Sequence, residues 1–324
     1  MTRMRGPATR LRLALALLTV AGGLSGCGDT KEADNVPAAA RLIERDPGNA
    51  KRPLMAVGAK GFTEQLVLAD IYAQALQAAG YRMSLAPPVE DELEAQAELE
   101  RGRIDAYPEY IGTALTSLYG ESVADVPRNV DQAYEQARAA FEEDGLAALP
   151  PTPFSNSNGF AMRQEDAGAL GVGTLSGLDE QAQDLTLSGP PECARRADCK
   201  LGLERVYGLR FRAFEEVNLA ARHQPLVDGD ADVGLVFTTD PQILTENLTL
   251  LRDDRRMQPP GNVTLVVREE ALRAAGPDLP RIVAAVQKGL TTVVMQELNS
   301  RVDLDGETPA AVAYGYLREA GYLE

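Results

Sequence analysis

Glu100–Tyr107 reads ERGRIDAY, and Leu226–Val233 reads LVDGDADV. Each stretch ends a helical pattern at a glycine, Gly102 or Gly229, and enters an apolar strand past an aspartate. Glycine just beyond a helix accepts the left-handed conformation that stops it. One such unit in each half of the chain predicts two α/β lobes of similar design. Outward from the first unit, Leu54–Gly58 is a strand, the loop AKGF follows, and Thr63 suits an N-cap. Leu68, Ile71, Tyr72, Ala75 and Ala79 recur at helical spacing until Gly80 stops the pattern. Tyr81–Leu85 is the next strand, and Pro87-Pro88 turns the chain. Glu90–Arg101 is a charged helix with Leu93, Ala97 and Leu99 as its thin apolar side, and Ile104–Tyr107 re-enters the sheet. Strand, helix, strand, helix, strand is the signature of a mostly parallel α/β sheet.

A helix near Gln132–Asp144 precedes Pro150-Pro151-Thr152-Pro153, a stiff extended segment that reads as a crossing between lobes. Phe160-Ala161-Met162 is apolar, and Val172 begins another unit. The strand Gly234–Phe237 runs into Thr238-Thr239-Asp240, which reads as a second crossing. Two crossings build one lobe from both ends of the chain: residues 54–153 with 240–324, against 154–239 for the other. In the C-terminal part, Val263–Val267 is a β-branched strand and Leu279–Leu298 a long helical stretch. Thr308 and Pro309 open the last helix as N-cap and first-turn proline. Ligands of such folds bind at the carboxyl ends of strands, here in the cleft between lobes.

Composition narrows the class. The chain has 324 residues, 44% of them hydrophobic, enough for two domains and a substantial core. With 32 Lys and Arg against 48 Asp and Glu the net charge is −16, and no basic excess exists to displace counterions from nucleic-acid phosphates. Arg3, Arg5, Arg10 and Arg12 precede the apolar run Leu13–Val20, and small residues follow, as in a secretory signal over residues 1–26. That run is too short to span a bilayer, and no later one is long enough. Leu24-Ser25-Gly26-Cys27 resembles the bacterial lipobox, which makes Cys27 the lipid-bearing first residue of the mature chain and residues 27–53 a polar tether. Export to an oxidising compartment favours a disulfide between Cys193 and Cys199 in PECARRADC over a zinc site, since His223 is the single histidine. His223 itself reads as a surface or capping residue.

The runs GAKGFTEQLVLADIYAQALQAAGY and GRIDAYPEYIGTAL resemble the substrate-binding proteins of osmoprotectant ABC importers, which bind glycine betaine, choline and carnitine. LERVYGLRF, VFTTDPQI and MQELNSRVDLDGETP do the same, so the resemblance covers nearly all of Leu54–Glu324. It implies a two-lobed periplasmic-binding-protein fold of type II, with a ligand cleft and two crossover segments. It also implies a cage of tyrosines around a trimethylammonium group, with charged and polar groups for a carboxylate. A quaternary ammonium has no N–H to donate, so aromatic faces recognise it at about 0.5–2 kcal/mol each.

Residue by residue, the resemblance assigns Tyr110 and Thr113 of PEYIGT to the cleft, and Lys60 of AKGFTEQ to the loop before the helix N-terminus. Tyr107 is left to pack the strand end. Glu192 and Arg196 match an acid and a carboxylate-binding arginine, with Arg195 as competitor one residue away. Asn156 stands near an expected Asp or Asn, while departures fall at Asn158 in place of an aromatic, at Phe237 without a hydroxyl, and at Gly261 in place of a cage tyrosine. Two rings offer roughly 1–4 kcal/mol against 2–8 for four. Either betaine binding is weak, or the ligand is another small polar solute served by Asn158, or other aromatics such as Tyr119 or Tyr207 fill the gap.

The implied mechanism is capture by lobe closure, followed by docking of a lipid-tethered monomer on a membrane permease powered by a partner ATPase. The chain itself carries no GxxxxGK[ST], GxSxG or HExxH, so binding without cofactor or chemistry is the expected activity.

Overall fold

The computed structural model describes residues 42–218 and 221–324, the side chain of Glu192 excepted. The expected signal, Cys27 and most of the tether lie outside the described residues. In chain order, β1 (Met55–Val57), α1 (Thr63–Ala78), β2 (Met83–Leu85), α2 (Glu92–Glu100) and β3 (Ala106–Tyr110) form the alternating start. The short α3 (Ile111–Thr113) continues into a wider π turn, and α4 (Val130–Glu143) and β4 (Leu146–Ala148) follow. Next come β5 (Asn158–Arg163), α5 (Gln164–Leu170), β6 (Thr186–Gly189), α6 (Lys200–Gly202), β7 (Ala213–Glu216), α7 (Gln224–Asp228) and β8 (Val233–Phe237). The remainder is α8 (Gln242–Thr245), β9 (Leu248–Leu251), β10 (Val263–Arg268), α9 (Glu269–Ala275), α10 (Asp278–Gln287), α11 (Thr292–Asp303) and α12 (Pro309–Glu319).

Two five-stranded sheets result, ordered β2-β1-β3-β10-β4 and β7-β6-β8-β5-β9. In the first, β1 runs parallel to β2 and β3, while β10 is antiparallel to β3 and β4. In the second, β6 runs parallel to β7 and β8, while β5 is antiparallel to β8 and β9. Both sheets therefore share one plan, three parallel strands, then one reversed strand and an edge strand paired antiparallel to it, as the echo of ERGRIDAY in LVDGDADV suggests. Gly102 and Gly229 hold φ of 67° and 83°, the left-handed stops expected of them. Behind the first sheet, α1 packs against α10, α11 and α12. Its Val67, Leu68, Ile71, Tyr72, Ala75 and Leu76 are all buried, so the helix is apolar on more than one face.

Three expectations change. The second lobe does not end at residue 239: β9 pairs with β5, Phe160 opposite Leu251, and its Leu248 and Leu251 are buried. The segment 238–240 only touches the first lobe, where α11 donates from Gln296 to the Thr238 carbonyl and from Asn299 to the Thr239 carbonyl. The stretch Leu279–Leu298 is not one helix. It breaks at Gly289–Thr291, where Leu290 is fully buried and the Thr291 side chain caps α11. Thr63 is not the cap of α1; Phe62 holds that position, and the Thr63 hydroxyl donates to Asp303 at 2.5 Å.

The chain returns to the first sheet at Pro259–Asn262, and this segment runs beside the first crossing. Ser155 forms an antiparallel bridge with Asn262, and Asn156 N donates to the Gly261 carbonyl at 2.9 Å. The Asn262 side chain donates to the carbonyls of Thr152 and Phe154. The two crossings thus make a short two-stranded ribbon between the sheets. A side chain at Gly261 is incompatible with it, since a Cβ there would lie 1.9 Å from the Asn156 carbonyl oxygen.

Candidate functional site

A cavity of about 910 Å³ opens beside this ribbon, at the carboxyl ends of β3 and β8. The end of β3 delivers Tyr110 to its wall. The Tyr110 backbone N–H is held at 2.6 Å by the fully buried Glu109, and its hydroxyl donates to Glu64 Oε1 at 2.7 Å. Phe62, 43% exposed, stacks on it with centroids 6.3 Å apart and planes 18° from parallel. From the other sheet, the end of β8 supplies Phe237, whose neighbour across the ladder is Asn158 of β5. Rings from both lobes therefore line one space.

Of the residues singled out from the sequence, Lys60, Tyr110, Thr113, Asn156, Asn158, Arg196, Phe237 and Gly261 all line the cavity. Arg195 does not line it. The Glu192 side chain is not described; its backbone lies in a short 3-10 turn beside Cys193, which forms a disulfide with Cys199. Several of these side chains are engaged with the protein itself. Lys60 Nζ sits 2.8 Å from Glu109 Oε1 and 5.1 Å from the Tyr110 centroid, so its charge is balanced by a carboxylate. Arg196 Nε donates to Asp198 at 2.8 Å, and Asn158 Nδ2 donates to the same carboxylate at 3.1 Å. Tyr107 packs in the core with its hydroxyl on Glu109, as a strand-end residue would.

Other expectations fail here. Tyr119 and Tyr207 do not replace the lost rings: the first packs edge-on against Phe141 with its hydroxyl on Asp144, and the second bonds Asp253. His223 is not on the surface. It is 8% exposed with Nε2 2.8 Å from Asp240 Oδ2, because α7 packs it against the turn after β8. Asp240 also accepts from Phe237 N at 2.7 Å and from Arg222 Nε at 2.9 Å. This fixes the Arg222 guanidinium 4.4 Å from the Phe237 centroid, a cation–π contact within the protein. Burial pushes the Asp240 carboxyl up, but the bonds from His223, Arg222 and Phe237 outweigh it and hold it below its ordinary value.

Phe62, Glu64, Arg222 and Asp240 are cavity residues that sequence reasoning did not select. Glu64 is 3% exposed and accepts from Tyr110, from Asn156 Nδ2 at 3.0 Å and from Asn299 Nδ2 at 3.2 Å. Burial raises its carboxyl pKa, against the lowering effect of bonds from Thr239, Tyr110, Asn156 and Asn299. Burial and the neighbouring Glu64 charge raise the Tyr110 phenol well above its usual value. Among the described residues, Glu64, Glu90, Asp91, Glu92, Asp198, Asp240 and Asp303 line the cavity against Lys60, Arg196 and Arg222. Seven acids against three bases make a wall that attracts cations.

A family model described as the substrate binding domain of ABC-type glycine betaine transport systems matches residues 55–319. The glycine-betaine-binding protein of Pseudomonas aeruginosa is 31% identical over 288 residues, 86% of this chain and 91% of its own. The carnitine transport binding protein OpuCC of Listeria monocytogenes is 24% identical over 86% of this chain and 90% of its own. A crystal structure of a glycine betaine/carnitine/choline ABC transporter superposes with a TM-score of 0.77 at 23% identity, over 83% of this chain and 100% of that one. The fold is that of a type II periplasmic binding protein, and the matched proteins are transporter binding components, not enzymes. The chain belongs to the family of substrate-binding domains of ABC-type glycine betaine transport systems.

Proposed function

We propose that this protein captures a quaternary-ammonium osmoprotectant, glycine betaine, choline or a close analogue, outside the cytoplasm and delivers it to an ABC permease. One observation carries the reading: Phe62 and Tyr110 from one lobe and Phe237 from the other line the same acid-rich cavity. Three rings offer roughly 1.5–6 kcal/mol to a cation that cannot donate a hydrogen bond. Phe62 thus restores one of the faces that Asn158 and Gly261 take away. Thr113, Asn156, Asn158, Arg196 and Glu192 serve the polar end of the ligand, with Lys60 oriented by Glu109.

Closure about the ribbon of Ser155–Asn156 and Gly261–Asn262 brings the Phe237 wall toward Tyr110, and contacts made only in the closed state shift the population that way. The chain works as a monomer tethered through acylated Cys27, and a partner ATPase powers transport. Titration calorimetry with glycine betaine, choline, carnitine and proline betaine tests the ligand. Binding in the micromolar range or tighter is expected for at least one. Absence of binding to all four overturns the ligand class and leaves the fold untouched. Mass analysis of intact exported protein tests the anchor: a diacyl group on Cys27 is expected, and a bare cleaved N-terminus contradicts it.

A further inference from the structure

We propose that Glu64 is a specificity-determining residue: its buried carboxylate selects ligands whose head group carries a full positive charge over uncharged groups of the same shape. The inference rests on the quaternary-ammonium reading above and adds to it a residue outside the aromatic cage.

Glu64 is the second residue of α1, and its side chain forms part of the cavity wall. Each hydrogen bond it makes is from a donor: the Tyr110 hydroxyl and the amide nitrogens of Asn156 and Asn299. A carboxylate accepts at all its lone pairs, and these donors favour the ionised form against the burial that raises its pKa. Its place in the first turn of a 16-residue helix favours the same form.

The charge is not cancelled. No Lys or Arg among the described residues forms an ion pair with Glu64. Lys60, whose ammonium lies over the same ring, is matched by Glu109 at 2.8 Å. Glu64 therefore contributes the unbalanced negative charge behind Tyr110. Its bond to the phenol also makes that ring more attractive to a cation. The contacts of Glu64 further reach Asn156 on the crossing ribbon and the Thr239 turn after β8. A purely architectural role would use those bonds without the charge, so the test must separate the two.

Choline and 3,3-dimethylbutan-1-ol have the same shape and differ in the charge of the head group. Titration of both into the intact protein should give a preference for choline of more than about tenfold. In E64Q that ratio should shrink by about tenfold or more, as expected for removing a unit charge within several ångströms in a protein environment. E64D, which keeps the charge, should retain most of the ratio. Because the ratio is read within one protein, partial unfolding scales both ligands alike and leaves it unchanged. If E64Q does not fold, the ratio is read in E64M, which fills the same volume without an added donor. An equal loss for both ligands makes Glu64 architectural and overturns the proposal. A ratio near one in the unaltered protein overturns it without any variant. Failure of choline, glycine betaine and the isostere alike to bind removes the ligand reading itself, and this proposal with it.

Discussion

Substituting Gly261 by alanine tests the crossing ribbon most sharply. The added Cβ would meet Asn156 O at 1.9 Å, Asn156 C at 2.4 Å and Ser157 N at 3.0 Å, all backbone atoms that cannot rotate aside. Relief requires the two crossing strands to part by about 1 Å or more, since a Cβ and a carbonyl oxygen do not approach within about 3.0 Å. Two bonds stretch with them: Asn156 N to the Gly261 carbonyl, 2.9 Å, and Gly261 N to Ser155 Oγ, 3.1 Å. Overpacking at about 1–3 kcal/mol plus two weakened bonds at about 0.5–1.5 each gives roughly 2–6 kcal/mol. For a chain of this size that is a fall in Tm of roughly 5–15 °C. Thermal unfolding followed by circular dichroism reads it, and calorimetry with glycine betaine should show weaker binding as well. The same clash excludes a tyrosine at position 261 in this backbone. A G261A protein with unchanged Tm and affinity would refute the clash and the ribbon geometry with it.

Three further substitutions report on the site. Y110F leaves Glu64 short of one donor in a buried place, so stability should fall by about 1–3 kcal/mol in denaturant unfolding and quaternary-ammonium affinity should fall with it. F62A removes a ring that is 43% exposed, so calorimetry should show a loss of about 0.5–2 kcal/mol in binding with Tm nearly unchanged. D240N probes a carboxyl held below its ordinary value of 3.8 in the folded state. Its stabilisation is present above that value and is lost as pH falls through the lowered one, so the stability gap between the parent and D240N should be widest near neutrality and close below about pH 4.

Much of the architecture was legible because local signals agreed with it. The glycine stops at Gly102 and Gly229 and the strand–helix alternation led directly to two sheets of one plan. What failed was non-local. LTLL at 248–251 has no β-branched aliphatic residue and follows a segment that does touch the other lobe, so only its pairing with β5 reveals its membership. The helix break at Gly289–Thr291 serves a distant need, since the Leu290 carbonyl accepts from Phe154 N on the first crossing. At the site, motifs named several residues that line the cavity, while nothing local in the sequence singles out Glu64 or Arg222. Their roles depend on Asn299, 235 positions away, and on Asp240, 18 positions away. His223 was misplaced for the same reason: the partner that buries it lies on a different element.

The most direct measurement is a crystal structure of the protein with glycine betaine bound. The trimethylammonium group should rest between Tyr110 and Phe237, with Phe62 at its side, Arg222 on the far face of Phe237, and the carboxylate turned away from Glu64. A ligand seated elsewhere, or a head group held by hydrogen-bonding side chains with those rings turned aside, would contradict the account.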